Sequence, residues 1–435
     1  MKQEGLPAAA IANHGEAAVP ELLNIISGLK EQLAAQNALL EEYRAEISRL
    51  RPPQEDKYRI VTAKEKVDEA LKLLDAMYHY NGGYSASPHG HYQAFWLRDI
   101  MYCAIAKEYM GDFYSVKKSY QLILDILGKY GDKIDSCIDN KPTTKHDFLH
   151  ARYRVHTLEE FPDEWGHNQL DIFGLLLYKI GNLKMKGIQV IRDLRDVKRI
   201  QDIVWYLYSI RWHESPDYGV WEEGPEVHSS SIGAVLAGLA SVRKHVDEIR
   251  VPGRFIEQGS DALKKALPSE SYSRPYDMAQ LSLVWPYRVL EPDMRRQVLK
   301  NVEKRLVREY GVARYPKDRY YNADWQDLEG NEAQWPMGFS WLAIIYGKMA
   351  EEAAEKGDGR EAVNCLKGAH YYIKRTEKVM VNGKDIPELY MGGAPNQNTP
   401  LAWALSMYII AVQVLENLKG KMDREAFEGA QKDLG

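Results

Sequence analysis

Two acidic residues stand out by their neighbours. Glu222 follows an indole in Pro216-Asp217-Tyr218-Gly219-Val220-Trp221-Glu222-Glu223. An aromatic ring packed on that carboxyl would desolvate it, raise its pKa and keep it protonated, the state a general acid needs. Glu388 lies in Ile386-Pro387-Glu388-Leu389-Tyr390, ahead of Gly392-Gly393-Ala394-Pro395. The Gly and Pro residues there hold an irregular loop. One carboxylic acid and one carboxylate placed across a sugar hydrolyse a glycosidic bond. With inversion they stand about 6.5–9.5 Å apart, leaving room for water. Glu222 taken alone also suits a helix N-terminus, where the macrodipole favours negative charge, and Glu223 suits it equally well.

Further segments could grip a sugar. Phe95-Trp96-Leu97-Arg98-Asp99, Trp165-Gly166-His167-Asn168-Gln169-Leu170-Asp171 and Arg314-Tyr315-Pro316-Lys317-Asp318 bring Arg, Asp and Trp together. An Arg–Asp pair holds two hydroxyls by charge-assisted bonds. Taken singly, each also reads as a structural ion pair or cap. The expected binding set is Arg98, Asp99 and Arg314 on the terminal sugar, with Trp165, Trp221 and Trp335 as packing faces. Trp96, Gln169, Asp171, Glu223, Tyr315 and Asp318 complete it. His146 and His150 are four apart, and His89 and His91 flank Gly90. Without a second ligand cluster they read as core or surface histidines, so no metal is expected. No P-loop, nucleophile elbow or dinucleotide fingerprint is present.

The elements that must position these residues are helical. From about residue 60, twelve segments carry helical periodicity: 63–79, 97–110, 113–129, 167–181, 195–211, 229–244, 251–266, 276–284, 292–307, 336–354, 359–377 and 400–418. The sixth, eighth and tenth carry long apolar or small-residue stretches, which marks them as buried. No strand alternation and no fixed-period repeat is evident. Junctions from odd to even helices are mostly long, and those from even to odd mostly short. In a barrel of helical hairpins the long loops share one rim, and nearly every motif above lies in one of them or opens the next even helix. Long loops of this kind are usually functional.

The N-terminus differs. Residues 1–19 are polar and Ala/Gly-rich and are expected to be disordered. Within 20–51, positions Leu22, Ile26, Leu29, Leu33, Gln36, Leu40, Tyr43, Ile47 and Leu50 form an a/d seam. That spacing predicts a coiled-coil helix and a homo-oligomer through residues 22–50, or else one amphipathic helix lying on the main domain. Arg51-Pro52-Pro53 ends the helix. Residues 52–59 read as a linker, 60–420 as the helical domain and 421–435 as a tail.

Composition narrows the classes. Net charge is −5 with interspersed signs, which leaves no footprint for nucleic acid. No apolar run reaches membrane-spanning length. The three cysteines are too few and too scattered for a disulfide framework. The first residues do not read as a secretory signal, so the expected location is cytoplasmic.

Together the motifs over residues 60–420 resemble glycoside hydrolase family fifteen, the glucoamylase family. Trp96-Leu97-Arg98-Asp99, Trp165 to Asp171, Trp221-Glu222-Glu223, Pro387-Glu388 and Thr399-Pro400-Leu401-Ala402-Trp403 carry the likeness. It implies an all-α fold, an (α/α)₆ barrel preceded here by the short coiled-coil helix. It also implies Glu222 as general acid, Glu388 as general base and no cofactor. Pro216 to Glu222, Glu332-Ala333-Gln334-Trp335-Pro336 and Trp403 to Tyr408 are similar to the N-terminal domains of phosphorylase kinase α and β subunits. Those domains have this fold but serve in regulation. Asn168 and Leu389 depart from the hydrolase pattern, standing where the family favours Pro and Gln. The leading expectation is an inverting, exo-acting α-glucoside hydrolase for gluco-oligosaccharides. The alternative is a non-catalytic glucan-binding or regulatory subunit. A lyase on the same barrel is a weaker third reading.

Overall fold

The computed structural model describes residues 63–163, 166–321 and 330–419. The disordered start, coiled coil and linker expected over 1–59, the tail from 421 and Trp165 lie outside the described residues.

Thirteen helices are described: α1 Ala63–Ala76, α2 Leu97–Tyr109, α3 Phe113–Lys129, α4 Gly131–Asp139, α5 Leu170–Met185, α6 Leu194–Ser209, α7 Ser229–His245, α8 Gly253–Ala266, α9 Leu281–Val284, α10 Pro292–Arg305, α11 Met337–Glu355, α12 Gly359–Lys378 and α13 Ala402–Lys419. Helices α2, α5, α7, α9, α11 and α13 touch in that order, and α13 returns to α2. They form a closed inner ring. Helices α1, α3, α8, α10 and α12 pack outside α13, α2, α7, α9 and α11 respectively, and α6 lies against α3, α4 and α5. The result is the expected (α/α)₆ barrel.

The burial pattern explains the two layers. Helix α13 is buried along almost its whole length, from Ala402 to Leu418, whereas α8 buries only Phe255, Gly259 and Leu263. A helix apolar all round must be enclosed, and one with a single apolar stripe must lie on the outside. Helices α5 and α7 approach closely because glycine faces the contact. A Cβ at Gly174 would stand 2.4 Å from the Ala234 backbone, and one at Gly238 would stand 2.4 Å from the Gly174 oxygen.

Three features depart from the sequence expectation. Helix α4 lies inside the segment read as one long loop. It buries only Gly131, Ile134 and Cys137, too short a stripe to register as a period. The eighth segment, expected as one helix over 276–284, is a 3₁₀ turn at Met278–Gln280 followed by the single turn α9. Pro286 forbids continuation and disfavours helical geometry at Trp285. Two antiparallel two-residue ladders also occur. β1 Phe95–Trp96 pairs with β2 Arg152–Tyr153, and β3 Tyr390–Met391 pairs with β4 Ala394–Pro395. Two residues are too few to show alternation.

Inner and outer helices begin differently. Outer helices α3, α6 and α12 carry their own Asp caps, Asp112, Asp193 and Asp358. Inner helices α2, α5, α7 and α11 have no side-chain bond from the capping residue. Instead, loop carboxylates reach across. Asp217 accepts from the Leu170 amide at 3.0 Å, and Glu270 accepts from the Ser230 amide at 3.1 Å. The rim loops are thereby tied to the inner helix starts, where the macrodipoles point.

Candidate functional site

A cavity of about 330 Å³ opens at that rim. This is the low end of the volume range for small-molecule sites, about 300–1,000 Å³. Its aromatic walls include Trp96, Trp221, Tyr320, Trp335 and Trp403, and its charged groups are Arg98, Asp99, Arg152, Glu222, Glu223, Arg314 and Glu388. The two carboxylates read from the sequence therefore line one cavity, although 166 positions separate them in the chain.

The Glu222 backbone has φ of 63°, in the left-handed region. A side chain with a Cβ rarely adopts this region, and such strain is characteristic of functional sites. The loop is held there by Asp217. That carboxylate accepts from the Gly219 amide at 3.2 Å and from Ser231 Oγ at 2.8 Å, besides capping α5, and it contacts His228 Nδ1 at 3.1 Å. Burial pushes the Glu222 carboxyl up to about 8; Arg98 opposes the shift and Asp99 adds to it. The Arg98 guanidinium lies 3.4 Å away. Near neutral pH Glu222 is therefore mostly a neutral acid. The indole expected on this carboxyl was that of Trp221. Trp221 instead donates its Nε1–H to Asp277 at 2.7 Å, and the indole that hydrogen-bonds Glu222 is Trp96.

Glu388 is held differently. Its Oε1 accepts from Tyr92 at 2.6 Å and from Tyr320 at 3.4 Å. Its Oε2 accepts from Asn396 at 2.6 Å and Asn398 at 2.7 Å. A carboxylate has about four lone-pair positions; three are taken here by short bonds, and the Tyr320 hydroxyl, which also stands 3.3 Å from the Tyr92 oxygen, is the distant fourth neighbour. Its own amide donates to the Asn398 oxygen at 3.1 Å, which closes the loop on itself.

The buried arginines Arg98 and Arg314 also line the cavity. Arg98 is buried and donates two bonds to Gln169 Oε1, at 3.1 and 2.9 Å, with Asp171 at 3.3 Å. Asp99 is pushed up to about 7 by burial, against the pull of Arg98. Arg314 forks onto Asp318 at 2.6 and 2.7 Å and reaches Glu223 at 2.5 Å. Glu223 also accepts from Arg274 at 2.6 Å and Tyr315 at 2.5 Å.

Trp96, Arg98, Asp99, Trp221, Glu222, Glu223, Arg314, Trp335 and Glu388 line the cavity. Gln169, Asp171, Tyr315 and Asp318 do not. They stand behind it and hold Arg98, Glu223 and Arg314 in place. Sequence reasoning did not single out Tyr92, Arg152, Asn396 or Asn398. The two asparagines follow Glu388 in its loop and were the readable signal. Among the described residues no group of three His, Cys, Asp or Glu side chains is arranged to hold a metal. Nor is any helix there long and apolar enough to cross a membrane.

Residues 69–255 match the family described as glycosyl hydrolases family 15. The chain is 28% identical to a probable phosphorylase b kinase regulatory subunit alpha of Caenorhabditis elegans over 394 residues, 74% of this chain and 30% of that protein. It thus spans about a third of the length of the curated relatives it matches. Among solved structures, a wild-type glycosidase superposes with TM-score 0.66 and 20% identity, covering 83% of this chain and 99% of that one. The glucoamylase from Saccharomycopsis fibuligera gives TM-score 0.64 and 15% identity, covering 83% and 96%. These two likenesses establish the barrel.

Proposed function

We propose that this chain, a relative of glycosyl hydrolase family 15, binds the terminal hexose of an α-glucan fragment and serves as a glucan-binding, regulatory module rather than as a hydrolase. The observation that carries this reading is the crowding of the Glu388 carboxylate by three short hydrogen bonds and a fourth hydroxyl. A general base must accept a proton from water through a free lone pair. Tyr92, Asn396 and Asn398 take three of about four positions at 2.6 to 2.7 Å, and the Tyr320 hydroxyl stands over the remaining one at 3.4 Å. The names of the regulatory relatives favour the same reading.

Binding would use the parts in ordinary ways. Trp and Tyr faces pack on the flat apolar side of a pyranose. Arg98, Asp99 and Arg314 hydrogen-bond its hydroxyls. Glu222, protonated, donates to an acetal oxygen without transferring its proton. We further propose assembly through the heptad segment 22–50. A reducing compartment such as the cytoplasm suits the three free, buried cysteines.

One observation favours the second reading, an inverting hydrolase. Glu222 already has the protonation state of a general acid, and the 3.4 Å Tyr320 contact is the weakest of the four on Glu388. The two readings separate in one assay. Incubation with maltose, maltotriose, isomaltose and trehalose should yield no glucose, while calorimetry gives saturable binding of at least one. Glucose release that falls about 10²–10⁴-fold in both Glu222→Gln and Glu388→Gln would establish the hydrolase instead.

A further inference from the structure

A second cavity, of about 650 Å³, adjoins the first, and His91 lines both. The two differ in charge. The first sets Asp99, Glu222, Glu223 and Glu388 against Arg98, Arg152 and Arg314. Among the described residues no carboxylate lines the second; its polar groups include Arg154, His79, His91, His156 and Gln93.

Arg154 is the permanent charge in this set. It is exposed, and among the described residues it makes no ion pair. Its guanidinium stacks 4.8 Å from the Phe161 ring, which Arg152 also faces at 4.3 Å. The backbone beneath it is a closed turn. Arg154 donates its amide to the Glu159 oxygen at 2.8 Å, and Leu158 donates back to the Arg154 oxygen at 2.9 Å. The described acids on the same strap have other partners. Glu159 accepts from Thr157 at 2.9 Å, Glu160 accepts from Lys133 at 2.9 Å, and Asp163 pairs with Arg152. His79 contacts Ser85 Oγ at 2.8 Å, which fixes its ring at the cavity wall.

A planar guanidinium with no acid partner, in a cavity free of carboxylates among the described residues, is suited to an oxyanion. While the Gln93 Nε2 already donates to the Pro88 oxygen at 2.7 Å, one Arg and three imidazoles line the cavity, four donor groups to the two oxygens of a carboxylate. A phosphoryl group offers three. We infer that the second cavity takes a phosphoryl group carried by the saccharide whose terminal hexose occupies the first, so that the ligand is a phosphorylated α-glucan fragment or sugar phosphate. This rests on the sugar-binding reading above. Residue order supports the route. Tyr92 bonds Glu388 in the first cavity, and His91, its chain neighbour, opens onto the second.

The test is calorimetry on the full chain with maltose, maltose 1-phosphate and inorganic phosphate. Maltose 1-phosphate should bind about tenfold or more tighter than maltose, the worth of one charge-assisted pair. In Arg154→Gln the two should bind within about threefold of each other, and Arg154→Lys should restore part of the difference. Equal affinities in the wild type, with maltose still binding, would overturn the inference and leave the sugar-binding reading intact. An advantage that persists in Arg154→Gln would overturn it too, by putting the phosphoryl group elsewhere. Inorganic phosphate binding through Arg154, with no gain for the phosphorylated sugar, would mean a free-ion site and reject the sugar-borne group. If neither sugar binds, both readings fail together.

Discussion

Glu222 and Glu388 share one cavity and one chemistry, yet the protein surrounds them in opposite ways. Glu222 stands on a strained left-handed backbone with burial as its dominant influence, and it keeps its proton to about pH 8. Glu388 stands in an unstrained loop with four donors around its oxygens. One is a donor in waiting; the other is an acceptor already in use. The lesson is that two acidic residues in one cavity do not by themselves make an acid–base pair. What each carboxyl already touches decides whether it has a proton to give or a lone pair to offer.

Three changes test this contrast, beginning with the largest effect. Arg98 is the cation on the Glu222 side, and it is fully enclosed. Arg98→Ala leaves Gln169 and Asp171 facing a void and removes the opposing charge from Glu222. Breaking a buried pair in this way costs about 3–5 kcal/mol. Denaturant unfolding should show a loss of that order, and an unchanged midpoint would mean that Arg98 does not hold the rim together.

On the other side, Asn398→Leu keeps the size of a buried side chain but takes one donor from Glu388. An acceptor deprived of its partner costs about 1–3 kcal/mol. The same variant frees a lone pair for water. If saturation is what suppresses turnover, this is the variant in which trace glucose release from maltotriose should first appear.

The smallest effect is a slope with pH. Glu222 gives up its proton at about 4.5 when unfolded and at about 8 when folded. Across that window the folded chain binds more protons, so stability falls as pH rises. His228 acts in the same direction. Burial opposes its charge, but Asp217 outweighs burial and lifts it to about 9, so its contribution is complete below 6.5 and is lost as pH passes 9. The buried His150, His167 and His370, pushed down to about 3, 4 and 4, act oppositely but only below about 6.5. The melting temperature should therefore decline between pH 6.5 and 9, and Glu222→Gln should make the decline shallower. A Glu222→Gln profile parallel to the wild type would place the titration elsewhere.

Much of the barrel was legible in the chain because inner and outer helices differ in how much of their circumference is apolar. Met337–Met349 and Ser231–Val242 carry that signal over three turns or more. Helix α4, with three buried residues, and α9, cut off by Pro286, do not. The site divides in the same way. Glu222 and Glu388 were readable because Trp, Gly and Pro surround them. Tyr92 was not, because it acts across the rim on Glu388, far away in sequence, and neither was Arg152, which pairs with Asp163 and faces the Trp96 ring. Gln169 and Asp171 were read as touching ligand; they act one layer further back, on Arg98. A single chain shows which residue types are present but not which of two buried polar groups faces the cavity.

The most direct measurement is a time course of proton NMR spectra on maltotriose with the protein at pH 7. The account predicts that the sugar's anomeric signals shift and broaden as it binds, and that no free glucose signal grows in. A rising β-glucose signal that Glu222→Gln abolishes would contradict it, and would mean that water reaches Glu388 after all.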